Sequence, residues 1–200
     1  MCSLFAEESA KTQQEIEFGN KETTPRSVKE ICRDNMIGKI AEAAVVTMAW
    51  QEYGIRIPVN YEVYPRGQYD DEDVNINGWS IDVKATRKGK WLLLEKNKIN
   101  FRFMENNLPD LIMMCRVDWD EDTDAPRSKD VKLVGCVGIR KLLSPTKKDV
   151  LHLRAGEYIP GTKSRLQADN YAINFVDLCD IRTAMEYIVN NKRPGKDSAV

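Results

Sequence analysis

Asp73-Val74-Asn75-Ile76-Asn77-Gly78-Trp79-Ser80-Ile81-Asp82-Val83-Lys84 reads as two short strands joined at a tight turn. Asn-Gly between alternating apolar residues is a strong short-range hairpin signal, because both turn residues tolerate positive φ. Asp82 and Lys84 are two apart on the second arm and so share a face, while Val83 points the other way into a core. The reversal folds Asp73 back beside that arm and brings its carboxylate toward Asp82. Two carboxylates form the kind of oxygen-rich site Mg²⁺ prefers, with positions left for water and a substrate phosphate. A lysine beside them can stabilise developing negative charge, or help position and deprotonate an attacking water.

The tripeptide acid-x-Lys is not specific by itself. With 31 acidic residues and 17 lysines in 200 positions, about 2–3 copies arise by chance. Two occur, Asp82-Val83-Lys84 and Asp130-Val131-Lys132. Context favours the first. It lies in an apolar strand (Trp79, Ile81, Val83), has an acid one hairpin arm upstream, and follows a long apolar-faced helix carrying Glu42 in Gly38-Lys39-Ile40-Ala41-Glu42-Ala43-Ala44-Val45. The rival register, Pro109-Asp110 with Asp130 and Lys132, puts its second acid after a loop of charge and proline, without apolar residues before it.

In this order and spacing, across about residues 25–140, the chain resembles the PD-(D/E)XK nuclease superfamily. The resemblance implies a restriction-endonuclease-like α/β (α+β) fold: a single domain with a central mixed β-sheet flanked by helices. It implies Asp73 and Asp82 as metal ligands, the Val83 backbone carbonyl as a further ligand, and Lys84 as the catalytic lysine. Glu42 would be the helix carboxylate joining the metal's inner or outer shell. Mg²⁺ would be the cofactor, with Mn²⁺ as substitute, and DNA the substrate, hydrolysed at its phosphodiester bonds. The fold also admits an RNA-directed enzyme or a non-catalytic interaction module, against which the complete acid-acid-lysine set argues. Glu72 stands where the family's proline precedes its acid, so the ligand comes from the run Asp70-Asp71-Glu72-Asp73. Asp73 is favoured because it directly precedes the strand-like Val74-Asn75-Ile76.

Composition narrows the setting. At 200 residues the chain has length for one domain with a substantial core, and the 42% hydrophobic and 30% charged content is that of an ordinary soluble protein. A net charge of −1 excludes a globally basic nucleic-acid binder, so DNA contact must come from a local basic face. Arg87-Lys88-Gly89-Lys90, immediately after the Lys84 strand, supplies the candidates Arg87, Lys88 and Lys90, with Lys96 and Lys98 extending the segment. Lys147, Lys148, Lys163 and Arg165 form a second candidate face. Five scattered cysteines without a CxxC pair, and one histidine, argue against zinc and disulfides and suit a reducing, cytoplasmic interior. No apolar run is long enough to span a bilayer. Cutting both strands of a duplex would favour a homodimer.

Along the chain, residues 1–24 read as a polar arm or loosely held helix, 25–190 as the nuclease-like domain and 191–200 as a frayed tail. Thr24-Pro25 predicts the start of a helix that Gly54 closes, with Gly38 as a close-packing point or break. Strands are expected at Ile57–Tyr64, Asp73–Ile76, Trp79–Thr86, Trp91–Leu94, Ile99–Phe103, Leu111–Val117, Val131–Ile139 and Tyr171–Val176, and a closing helix at Ile181–Val189. The acidic run Asp118–Asp124 lacks the glycine and bidentate glutamate of a calcium loop and reads as a solvated connection.

Overall fold

In the computed structural model, residues 1–13, 27–64, 72–144 and 148–194 are described. Asp70, Asp71, Thr24-Pro25 and Lys147 lie outside them.

The long helix α2 spans Val28–Tyr53 and starts three residues after Pro25. Its start is set by Ser27 and Glu30 in a reciprocal capping box. The Ser27 hydroxyl accepts from the Glu30 N–H at 3.2 Å, and the Glu30 carboxylate accepts from the Ser27 N–H at 2.8 Å. Gly54, in the left-handed conformation at φ 70°, ends it as expected. Gly38 neither kinks α2 nor marks a close approach, because a Cβ there would meet nothing within 4 Å. Gly38→Ala is therefore expected to stabilise the fold by about 0.5–1 kcal/mol through helix propensity alone. An unchanged or lowered urea midpoint would contradict this. The polar N-terminal segment contains helix α1 (Cys2–Gln13), which docks on α2 and buries Ala6 and Ala10 completely.

A four-stranded mixed sheet follows, with strand order β1 (Val74–Ile76), β2 (Trp79–Thr86), β4 (Leu111–Asp120), β5 (Ala125–Gly138). The β1/β2 and β4/β5 pairs are antiparallel and β2/β4 is parallel. The β1–β2 turn has the expected chemistry, with Asn77 at φ 52° and Gly78 at φ 85°. Between β2 and β4 the chain crosses over through β3 (Trp91–Glu95) and α3 (Lys96–Met104). A second, antiparallel sheet has the order β3, β7 (Asn170–Asn174), β6 (Val150–Leu153). Helices α4 (Ile139–Leu143) and α5 (Ile181–Asn190) complete the α+β domain.

Alternation along the strands divides the apolar residues between two cores. Ile81, Val83, Met113, Cys115 and Val117 pack with Ala41 and Val45 of α2 and with Ile181, Met185 and Ile188 of α5. Ile112, Met114 and Val137 face the opposite way, toward Leu92 and Leu94 of β3, Ile99 of α3, Leu142 of α4 and Ile173 of β7. The mixed sheet thus has helices over one face and the second sheet with α3 and α4 over the other.

Two expected strands are absent. Ile57–Tyr64 is half-buried except at Pro58 and Glu62 and joins neither sheet; Pro58 has no N–H to give a ladder. Ile99–Phe103 belongs to the helix α3. The β5 strand begins at Ala125, six residues earlier than Val131, as an exposed extension of the hairpin with β4.

Candidate functional site

The hairpin register pairs Val74 with Ile81, Asn75 with Ser80 and Ile76 with Trp79. Asp73 stands one residue before β1, at a bend beyond the last pair of the ladder, and so comes back beside the β2 residues that follow Ile81. Asp82 and Lys84 lie beside Ile112 and Met114 in the parallel β2/β4 register. The Asp82 and Lys84 side chains therefore project away from α2, toward the layer that contains α3, whereas the Asp73 carboxylate lies at the edge of β2 against the Val83 N–H.

The contacts follow from that placement. Lys84 Nζ lies 2.7 Å from Asp82 Oδ2, and Arg102 of α3 donates from Nη1 to Asp82 Oδ1 at 2.9 Å. Asp73 Oδ2 accepts from the Val83 N–H at 2.6 Å. In an extended residue N–H and C=O project to the same side, so the Val83 carbonyl emerges on the edge where Asp73 sits.

The electrostatics separate the two acids. Burial opposes ionisation of Asp82, yet Lys84 and then Arg102 outweigh it and hold the carboxyl below its ordinary range. Asp73 goes the other way. Burial first, then the Asp82 charge, push it up to about 6, against the opposing pull of Lys84, the Val83 N–H and Lys39. Burial also opposes the Lys84 charge, but Asp82 and Asp73 prevail and raise its pKa above the ordinary lysine value. Lys84 is thus held as an ammonium. That suits stabilisation of negative charge and disfavours its use as a base.

Glu42 does not complete a three-carboxylate cluster. Its Oε2 lies 2.5 Å from Lys39 Nζ, both side chains are buried, and Lys39 also lies 4.6 Å from the centre of the Phe5 ring of α1. The α2 residue whose charge reaches Asp73 is Lys39, the partner of Glu42. Among the described residues no three of His, Cys, Asp and Glu come together as a group able to hold a metal.

The candidate nucleic-acid residues are partly engaged. Arg87 donates through Nη1 to both carboxylate oxygens of Glu121, at 2.6 and 2.7 Å, and Lys88 lies 3.1 Å from the same carboxylate. Lys90 is exposed. The turn starts five residues beyond Asp82, roughly 16 Å along the strand. In the second candidate face, Arg165 donates to the Tyr158 hydroxyl at 2.9 Å and lies over its ring on an exposed hairpin.

The rival register does not assemble. Asp110 Oδ2 accepts from the Ser80 N–H, and Asp110 Oδ1 pairs with Arg193 at 2.6 Å. Leu111 pairs with Gly138, which puts Asp110 near the end of β5. Asp130 and Lys132 are exposed eight and six residues back along that strand, roughly 20–26 Å away.

Sequence reasoning missed Arg102 and Lys39. Arg102 was hidden by the period-two pattern Ile99-x-Phe101-x-Phe103, which assigns the segment to a strand with no route to Asp82. Lys39 was readable as a charge three residues before Glu42 on one helix face. A separate hollow of about 420 Å³ between α1, α2 and β4, lined by Cys32, Met36 and Trp119, does not include the Asp82 cluster.

No family model, no curated protein and no solved structure matches this chain. Among the described residues no helix is long and apolar enough to cross a membrane.

Proposed function

We propose that this chain is a Mg²⁺-dependent deoxyribonuclease that hydrolyses phosphodiester bonds at the Asp73/Asp82/Lys84 cluster, a site of the PD-(D/E)XK kind. The observation that carries the reading is the juxtaposition of two carboxylates, one of them pushed up to about 6, with a lysine held charged by the other. Cation binding would offset the burial and the Asp82 repulsion that together raise Asp73. A pair of carboxylates is also a sufficient protein contribution for Mg²⁺, which keeps several waters and shares substrate phosphate oxygens. Asp73 and Asp82 would hold the ion, Asp82 through an oxygen shared with or released by Lys84 or Arg102, with the Val83 carbonyl on the same edge. Glu42 would contribute only after leaving Lys39.

When bound, the metal would supply Lewis-acid polarisation of the phosphate and a water of lowered pKa. The chain's own residues do the rest. The Lys84 ammonium faces the negative charge that develops on the phosphoryl oxygens, where a preorganised cation in a partly desolvated site is most effective. Arg102 fixes the Asp82 carboxylate from the opposite side to Lys84 and adds a second positive charge.

The register has its own test, by calorimetric titration of Mg²⁺ and a cleavage assay on the same variants. Asp82→Asn is expected to remove both metal binding and cleavage. Asp130→Asn, on an exposed strand, should change either by no more than about twofold. The reverse ranking would overturn the assignment of the site.

A further inference from the structure

Two cysteines that lie 43 residues apart in the sequence face each other across a backbone bridge, well away from the Asp82 cluster. Cys136 of β5 donates its N–H to the Cys179 carbonyl at 2.9 Å, and Cys179 returns its own N–H to the Cys136 carbonyl at 2.8 Å. This reciprocal exchange is the hydrogen-bonded pair of an antiparallel ladder, in which the Cα atoms stand about 5.5 Å apart and both side chains leave on the same side. The Cys136 thiol lies 3.6 Å from the Cys179 carbonyl oxygen and 3.8 Å from that of Asp180.

Gly135 permits the close approach. A Cβ there would come within 2.6 Å of the Leu178 Cβ and 3.1 Å of the Cys179 carbonyl oxygen, so any larger residue would push segment 178–180 off β5. Cys179 directly precedes Asp180, the N-cap of α5. The far end of that helix receives the β1–β2 turn, where Asn77 donates to the Val189 carbonyl at 2.8 Å and the Trp79 indole N–H to the Asn191 carbonyl at 2.7 Å. Of the two thiols, Cys179 is exposed and Cys136 is buried.

We propose that Cys136 and Cys179 are a site of reversible covalent modification, joined as a disulfide by a low-molecular-weight disulfide such as oxidised glutathione. The proposal does not depend on the nuclease reading. The exposed Cys179 thiolate attacks one glutathione sulfur, forms a mixed disulfide and expels one glutathione thiolate. Cys136 then loses its proton and attacks the Cys179 sulfur, which expels the second glutathione. Two protein thiols become one disulfide, and one glutathione disulfide becomes two thiols. Access and burial set this order, since burial pushes the Cys136 thiol up to about 12 and leaves it the slower, resolving partner.

The Cα spacing falls within the usual disulfide range of about 4.4–6.8 Å. The Cβ atoms of such a pair stand toward the wide end of about 4.5–5.5 Å and must close to about 3.5–4.5 Å. The strain of that closure keeps the bond reducible by thiols, as suits a reversible fastening rather than a permanent staple. Closed, it ties the start of α5 to β5.

Incubation of the folded full chain with excess oxidised glutathione, followed by alkylation of free thiols and peptide mapping by mass spectrometry, tests this. The map should show Cys136 joined to Cys179 with the loss of two hydrogens, and dithiothreitol should restore both thiols. Cys179→Ser, at an exposed position and expected to melt like wild type, should lose this product. Cys136→Ala should stop at the mixed disulfide, with one glutathionyl group left on Cys179. If that variant melts early, the wild-type map and Cys179→Ser decide the matter alone. Hydrogen exchange in the first turn of α5 should slow in the oxidised chain.

Cys179 that stays glutathionylated in wild type, both thiols still free under excess oxidant, a bond from Cys136 to Cys115, or a disulfide between two chains would overturn the proposal. Unchanged exchange in the cross-linked chain would overturn the fastening of α5.

Discussion

Lys84→Ala is expected to lower the rate of DNA cleavage by about a thousandfold while leaving the fold intact. The size follows from what the ammonium is placed to do. Its charge is held above the ordinary lysine range by Asp82 and Asp73, so it stays fully cationic through the neutral range. Removing a single preorganised charge of this kind typically costs two to three orders of magnitude in turnover. The Lys84 side chain is 41% exposed, so truncation opens no core cavity. Asp82 keeps Arg102 as a partner at 2.9 Å. Single-turnover kinetics at saturating Mg²⁺ read the rate, and thermal melting reads the fold. A loss below tenfold would remove Lys84 from the chemistry.

Asp73→Asn should do two things at once: eliminate Mg²⁺-dependent cleavage and stabilise the metal-free protein. The Asp73 carboxyl titrates at about 6 in the folded chain against an ordinary value of 3.8. The folded state therefore holds this proton more tightly than the unfolded state does. Below about pH 4 the group is protonated in both states and costs nothing. As pH rises from there through 6, stability falls, and the penalty is complete above it, reaching about 3 kcal/mol for a shift of this size. Asparagine keeps an oxygen to accept from the Val83 N–H and carries no charge. The stability gap between variant and wild type should thus open between pH 4 and 6 and stay level above. Saturating Mg²⁺ should close it by stabilising the wild type. Urea denaturation across this pH range measures the effect, and a variant less stable than wild type at pH 7.5 would contradict it.

How much of this was legible in the sequence depended on whether local pattern and tertiary setting agreed. In β2 they agree. Its apolar residues alternate, its turn carries Asn77-Gly78, and the strand runs from Trp79 to Thr86 as read. The pairing of Asp82 with Lys84 follows from that agreement, since period two puts them on one face, and the Asn77-Gly78 turn returns Asp73 to the neighbouring edge at the Val83 N–H. In α3 the two disagree. Ile99, Phe101 and Phe103 alternate like a strand, but only Ile99 is buried, so the alternation has no core to serve and the helix forms. Arg102 was lost with that reading.

The segment Ile57–Tyr64 fails for a different reason. Ile57 packs on the α2 core and only Pro58 and Glu62 face solvent, yet among the described residues no neighbouring strand pairs with the segment. A strand is a pairing, and pairing is not written in one segment. Strand β6, with four residues, is too short to announce itself. Glu42 illustrates the limit for a single side chain. Its place on an apolar helix face signals burial with a partner, and two partners were open, the metal pocket or a nearby cation. In the structure that cation is Lys39 at 2.5 Å.

Incubation of the purified chain and its Lys84→Ala variant with linear, circular, branched and single-stranded DNA, in Mg²⁺, Mn²⁺ or EDTA, decides whether the Asp73/Asp82/Lys84 cluster is a metal-dependent nuclease site. Wild type should give products in either metal and none in EDTA, and the variant almost none. Cleavage that persists unchanged in EDTA, or intact DNA of every form in both metals, would contradict it.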